Sequence, residues 1–265
     1  MKNSYAIDTH CHLTLTPQPD RKAVIERARK AGVSKMVTVA CNIEEIGQCI
    51  PLADEHDFIW TTAGVHPTEL GTNIERDLER VYEYAKNEKK IVAIGEIGLD
   101  YYHDNFPREL QIAYFVGQLN IANQLKKPAI IHSRAGKFAG ENSSIFPDII
   151  KSLKEAHFSN GVMHCFSGNL EEAKTFLEIG LMISFTGIVT YERNQELRDI
   201  IKMMPADRIM IETDSPFLPP KNHKGEKNEP AFVIEVAKTI AEVRGLELDE
   251  VMRITSENAE RFFGI

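Results

Sequence analysis

The sequence predicts an α/β protein built as a (β/α)8 barrel of the TIM type, with parallel strands and an active site at their C-terminal ends. Three observations point there. Short β-type apolar runs alternate with stretches of helical period eight times. The 265 residues lie near the roughly 250 typical of such a barrel. Histidines and carboxylates recur where the runs end.

The runs are Ala6 to Thr9, Lys35 to Val39, Phe58 to Ala63, Ile91 to Gly95, Ala129 to His132, Gly161 to Cys165, Leu181 to Phe185 and Arg208 to Thr213. The central ones are apolar on both faces, as strands of a parallel sheet covered on each side must be. Between them, Arg21 to Lys30, Glu44 to His56, Ile74 to Lys86, Arg108 to Leu125, Phe146 to Ala156, Leu170 to Ile179 and Gln195 to Met203 carry helical period. Pro230 then stands where a first helical turn tolerates a missing N–H, and two further helices fill the remainder. Eight units favour a closed barrel over an open doubly wound sheet. No internal repeat or low-complexity linker divides the chain, so residues 1–265 are expected to form one domain. The longest irregular pieces, His132 to Ser144 and Thr213 to Glu229, directly follow strands and should line the catalytic rim.

A formal charge of −8 gives no overall electrostatic grip on a polyanion, so any phosphate recognition must be local. The four cysteines form no Cys-x-x-Cys pair, and Met1-Lys2-Asn3-Ser4-Tyr5 leads into a strand without an apolar signal segment. A reduced, cytoplasmic protein is expected. No apolar stretch approaches the roughly 20 residues needed to span a bilayer, and nothing marks an obligate protein partner.

His10 and His12 close the first run two residues apart, so both imidazoles share a strand face while Cys11 points away. With nine histidines in the chain, about 0.3 such pairs arise by chance, so further ligands must support the site. Glu96, His132, His164 and Asp214 follow the fourth, fifth, sixth and eighth runs, all at C-terminal strand ends. A catalytic zinc usually takes three protein ligands and a water, and these six residues exceed that. Two divalent ions are the expected count, with a carboxylate between them. Histidine and carboxylate ligands accept zinc, manganese and magnesium alike, so the sequence leaves the metal open.

Six ordered motifs carry a resemblance. They are Asp8-Thr9-His10-Cys11-His12-Leu13, Gly64-Val65-His66-Pro67, Gly95-Glu96-Ile97-Gly98-Leu99-Asp100-Tyr101, His132-Ser133-Arg134, His164-Cys165-Phe166-Ser167-Gly168 and Glu212-Thr213-Asp214-Ser215-Pro216. With Asn228-Glu229-Pro230 and Asn258-Ala259, they make the chain resemble the TatD family of metal-dependent deoxyribonucleases, among the amidohydrolase-type barrels, from Ile7 to the C-terminus. The resemblance implies that His10, His12, Glu96 and Asp214 hold one metal, and that Glu96, His132 and His164 hold the other, with Glu96 as the bridge. His66 and Arg134 would bind the substrate phosphate. The chain departs from the family in having Thr14 after the His-x-His-Leu run, and Ala135-Gly136 after His-Ser-Arg, where acidic residues are frequent.

Lys221, Lys224 and Lys227 with His223 form a basic patch on the last catalytic loop. It is either a track for the nucleic-acid backbone, with Lys221 and His223 binding substrate, or a solvated loop. Tyr101 and His103 are equally open between support of the site and loop packing, and Cys11 and Cys165 are expected to be inert.

The function expected is a divalent-metal-dependent deoxyribonuclease, exonucleolytic on single-stranded or frayed DNA ends and acting through a metal-bridged hydroxide. Glu96 and Asp214 would be the catalytic carboxylates, Asp214 orienting the nucleophile and taking its proton. The alternative is a carbonyl hydrolase on the same barrel: an amidase, lactonase or aminoacyl-tRNA deacylase. The cationic clamp around a phosphodiester separates the two, and six intact ligands argue against a non-enzymatic scaffold.

Overall fold

The computed structural model describes residues 5–103, 105–136 and 145–265. Its strands are β1 (Ala6–Cys11), β2 (Val33–Thr38), β3 (Ile59–Ala63), β4 (Ile91–Asp100), β5 (Ala129–Arg134), β6 (Gly161–Met163), β7 (Met182–Phe185) and β8 (Ile209–Ile211). They follow one another in sequence order in a single parallel eight-stranded sheet. The helices between them are α1 (Gln18–Lys30), α2 (Ile43–Asp54), α3 (Ile74–Asn87), α4 (Arg108–Leu125), α5 (Phe146–Glu155), α6 (Leu170–Ile179) and α7 (Gln195–Met203). Then come α8 (Val233–Arg244) and α9 (Leu248–Phe263). Pro230 opens a single 3-10 turn, Pro230–Phe232, that runs into α8.

Ile7, Val37, Ala93, Ile130, Val162, Met182 and Met210 belong to one apolar cluster. Residues from strands all round a barrel can share such a cluster only in its interior. Ala259 and Phe263 of α9 join it, so α9 stops one end of the barrel. Ser256 and Asn258 fix that helix by bonding the carbonyls of Tyr5 and Ile209, at the starts of β1 and β8. The opposite end is left for the site.

Several strands end elsewhere than the apolar pattern suggests. β4 continues past Gly95 to Asp100, because its Gly98, Leu99 and Asp100 pair with His132, Ser133 and Arg134 of β5. Gln111 of α4 completes that end: its side chain accepts from the Asp100 N–H and donates to the Asp100 carbonyl, at 2.8 and 3.0 Å. A Cβ on Gly98, whose φ is +141°, would sit 2.1 Å from the His132 carbonyl oxygen, so only glycine lets the two backbones close. β6 and β8 stop before the expected limits. Left-handed backbone at Cys165 (φ 45°), next to His164, and at the candidate ligand Asp214 itself (φ 55°) interrupts the extended run.

Between β8 and β1 a single bridge, Cys11 with Ser215, replaces a ladder. Side chains complete the closure. Thr213 donates its N–H and hydroxyl to the Asp8 carboxylate at 2.9 and 2.6 Å, and the Thr9 hydroxyl bonds the Ile211 carbonyl at 2.9 Å. The four cysteines are free, and among the described residues no helix is long and apolar enough to cross a membrane.

Candidate metal centre

Strand alternation brings His10 and His12 together as the sequence predicts. Their Nε2 atoms lie 3.2 Å apart, while Cys11 turns its thiol to the Val37 carbonyl. Glu96, buried at the centre of the mouth, divides its two oxygens. Oε2 faces His10 Nε2 at 3.3 Å and His12 Nε2 at 4.0 Å. Oε1 faces His132 Nδ1 at 2.7 Å, His164 Nε2 at 3.5 Å and His66 Nε2 at 3.7 Å. Asp214 Oδ1 stands 3.4 Å from His12 Nε2, 3.7 Å from His10 Nε2 and 3.9 Å from His164 Nε2.

These spacings fit metal ions. Two nitrogens about 2.05 Å from one tetrahedral ion lie about 3.3 Å apart, close to what the His10, His12, Glu96 and Asp214 donors show. The far sides of the rings agree. A metal-binding imidazole holds its second nitrogen against an acceptor, which fixes the tautomer and turns the other lone pair inward. His12 Nδ1 meets the Val39 carbonyl at 3.1 Å, and His132 Nε2 meets Asp100 Oδ2 at 3.2 Å. His164 Nδ1 lies 2.7 Å from Glu212 Oε1. His10 is the exception, its buried Nδ1 lacking a partner among the described residues.

His66 differs in kind. Its Nδ1 accepts the Thr68 N–H at 3.2 Å and contacts the Thr68 hydroxyl at 2.7 Å, so in the neutral ring the proton sits on Nε2. Burial, with the neighbouring His132, pushes its pKa down to about 3 and keeps the ring neutral. A neutral Nε2–H at the mouth is a donor suited to an anionic oxygen.

Burial alone would raise the Glu96 carboxyl, but His164 and His10 hold it well below the usual carboxylate range. Asp214 is lowered in the same way, burial being outweighed by His12, His164 and His10. Burial lowers His164, yet Glu212 and Glu96 carry it up to about 9. His10 is pushed down by burial and by His164, whose ring stacks on it with centroids 3.7 Å apart. Burial raises the Cys11 and Cys165 thiols well above their ordinary value, in keeping with inert packing.

The other candidates lie further out. Arg134, at the end of β5, is exposed, its guanidinium 4.0 Å from the centroid of Tyr102. Lys221 is engaged by Glu192. His223 stacks on Phe232 with centroids 3.6 Å apart and meets Glu226 at 3.1 Å. No contact among the described residues ties Lys221 or His223 to the histidine cluster. His103 does support the site: its Nδ1 lies 3.0 Å from the same Asp100 oxygen that meets His132. Tyr101 bonds Asp148 instead. Part of the segment after Arg134, residues 137–144, lies outside the described residues.

Sequence reasoning assigned no role to Asp100, Glu212 or Asp8. Asp100 and Glu212 stand behind His132 and His164. Asp8 receives Thr213 and, at 3.4 Å, the His10 N–H. Each sits inside one of the six motifs, two or four residues from a candidate ligand, which is the signal that could have found them.

A parallel barrel with a histidine–carboxylate cluster at the C-terminal mouth defines the class of metal-dependent barrel hydrolases. Residues 7–264 match the family described as TatD related DNase, and the chain belongs to that family. An uncharacterized metal-dependent hydrolase of Bacillus subtilis, YabD, is 37% identical over 261 residues, 97% of this chain and 98% of its own. The 3'-5' ssDNA/RNA exonuclease TatD of Rahnella is 38% identical over 252 residues, 93% of each chain. The crystal structure of YjjV, a TatD homolog from Escherichia coli, superimposes with a TM-score of 0.90 at 30% identity, covering 100% of both chains.

Proposed function

We propose that this protein is a divalent-metal-dependent exonuclease that hydrolyses phosphodiester bonds at the ends of single-stranded or frayed DNA. The observation that carries this is the division of Glu96, one oxygen toward His10 and His12 and the other toward His132 and His164. That is the arrangement of a carboxylate shared by two ions. His10, His12, Glu96 and Asp214 would hold one, and Glu96, His132 and His164 the other. When bound, the ions supply positive charge that acidifies a water and polarises the phosphoryl oxygens.

The chain's own groups do the rest. Asp214, kept ionised by the histidines around it, accepts the proton of the attacking water. His66 donates Nε2–H to a phosphate oxygen. Arg134 offers a planar guanidinium fork matched to phosphate, and its stacking on Tyr102 keeps it in place without neutralising it. Asp100 and Glu212 hold the rings of His132 and His164. The similarity to an enzyme named for ssDNA/RNA exonuclease activity supports the same substrate class here. Amide hydrolases that share the barrel, such as a β-aspartyl dipeptidase at 17% identity, share the fold alone.

End-labelled single-stranded DNA, set against ester, lactone and aminoacyl-tRNA substrates with and without chelator, tests the proposal. Stepwise shortening of DNA that stops on chelation and returns with divalent metal is expected. Hydrolysis confined to the carbonyl substrates would overturn it.

A further inference from the structure

Four large apolar side chains are exposed among the described residues: Leu15 at 47%, Met203 at 68%, Phe217 at 51% and Leu218 at 38%. Single exposed apolar groups are ordinary, and Met203, at the end of α7, lies toward the stoppered end of the barrel. The other three stand on the segments that follow β1 and β8, which the Cys11–Ser215 bridge sets side by side at the mouth. Phe217 is also held. Its N–H donates to the Asp214 carbonyl at 2.9 Å, and its own carbonyl accepts from the buried Asn228 side chain at 2.5 Å. Its ring lies edge-on to His12, the centroids 6.0 Å apart.

A fixed aromatic face open to solvent beside a candidate metal ligand is a binding surface for something flat. We propose that Phe217, with exposed Leu15 and Leu218 on the same two neighbouring segments, is a stacking platform for the nucleobase next to the scissile phosphate. The proposal rests on the nuclease activity proposed above and names where the base goes. Charge argues the same way. The chain carries a net −8 and the Lys221 ammonium is engaged by Glu192, and stacking on an aromatic ring holds any base without electrostatics, adding to the grip on the phosphate. Phe217 follows β8 and its ring meets His12 after β1, and in an eight-stranded barrel β4 and β5 lie across from β8 and β1, so exposed Arg134 at the end of β5 stands on the far side of the mouth. A strand held between them would put phosphate toward the guanidinium and a base on the ring.

The test compares kcat/KM of the metal-loaded enzyme on a single-stranded oligodeoxynucleotide and on two copies that lack the base at the terminal or the penultimate residue. Phe217→Ala should lose roughly 5- to 150-fold on the complete strand, the equivalent of about 1–3 kcal/mol of stacking. The loss should appear mainly in KM and shrink sharply on one of the two abasic strands. Phe217→Tyr and Phe217→Trp should restore cleavage, and Phe217→Leu should not. Equal losses on all three strands would show that Phe217 acts through His12 and would overturn the platform, as would full rescue by leucine. If the wild-type enzyme cleaves none of the strands, the nuclease activity fails and the platform with it. Wild-type cleavage with equal losses in Phe217→Ala removes the platform alone.

Discussion

Two sides of the barrel mouth carry the candidate ligands by different means. Glu96 and His132 stand on β4 and β5, whose ladder runs from Ile94 opposite Ala129 to Asp100 opposite Arg134. Backbone pairing sets His132 opposite Gly98, and the Glu96 N–H bonds the Ala40 carbonyl at 3.1 Å, so main-chain bonds hold both residues. His10, His12 and Asp214 face one another across the seam between β1 and β8, where there is one bridge. There the Asp214 N–H bonds the His10 carbonyl at 2.8 Å, the His12 N–H bonds the Ser215 carbonyl at 2.7 Å, and Asp8 clasps Thr213. A seam with one bridge, clasped by the Asp8 carboxylate, can be loosened by one substitution away from the metal. The two ions should therefore respond to different residues.

The largest effect should come from the residue common to both sides. Glu96→Gln keeps the shape and removes the shared charge, so elemental analysis should find metal lost and activity down by several orders of magnitude; two ions retained would break the bridge assignment. Asp214→Asn should lower kcat by about 10²- to 10⁴-fold, the span of a general base, with a smaller change in KM. Unchanged turnover would remove it from the mechanism.

The sharpest test of the contrast pairs Asp8→Asn with Asp100→Asn. Each should weaken one ion by about 10- to 100-fold in a calorimetric titration, the first on the seam side and the second on the ladder side. Weakening of the same ion by both would end the distinction.

A smaller effect follows from His164, whose metal-free pKa of about 9 lies above its ordinary 6.5. A group raised on folding contributes stability that is complete below its unfolded pKa and lost as pH rises through its folded value. The melting temperature of chelated protein should fall between pH 6.5 and 9 on this account. Metal must displace that proton, so metal affinity should rise over the same window. A chelated protein whose melting temperature rises across it would contradict the assignment.

The smallest effect lies outside both regions. Lys221→Ala alone should leave the salt dependence of binding to a cleavage-resistant oligonucleotide unchanged, since Glu192 engages that ammonium. Adding Lys224→Ala and Lys227→Ala should flatten the slope of log K against log salt by at most about 0.7 for each phosphate that is no longer neutralised. No flattening would leave the basic loop as solvated surface.

Eight strands and six candidate ligands near strand ends were legible in the sequence, the strands from local periodicity and the candidates from the histidines and carboxylates that stand where the apolar runs stop. Alternation in Asp8-Thr9-His10-Cys11-His12 puts the two imidazoles on one face whatever surrounds them. The length of β4 was not legible, because Gln111 on α4 completes its end. Neither was the state of Lys221, whose charge is visible in the sequence while its partner Glu192 lies in another loop.

By itself, then, the sequence determined the succession of strands and helices, the barrel they make and the residue types gathered at one mouth, since hydrophobic period and strand parity act over a few residues. Only the tertiary structure decided which Glu96 oxygen faces which histidines, which ring nitrogen each carboxylate holds, and that Phe217 stays uncovered. Those outcomes depend on angles and on distances of a few ångströms between groups as far as 205 residues apart in the chain, as Asp8 and Thr213 are. Packing, rather than periodicity, sets such distances.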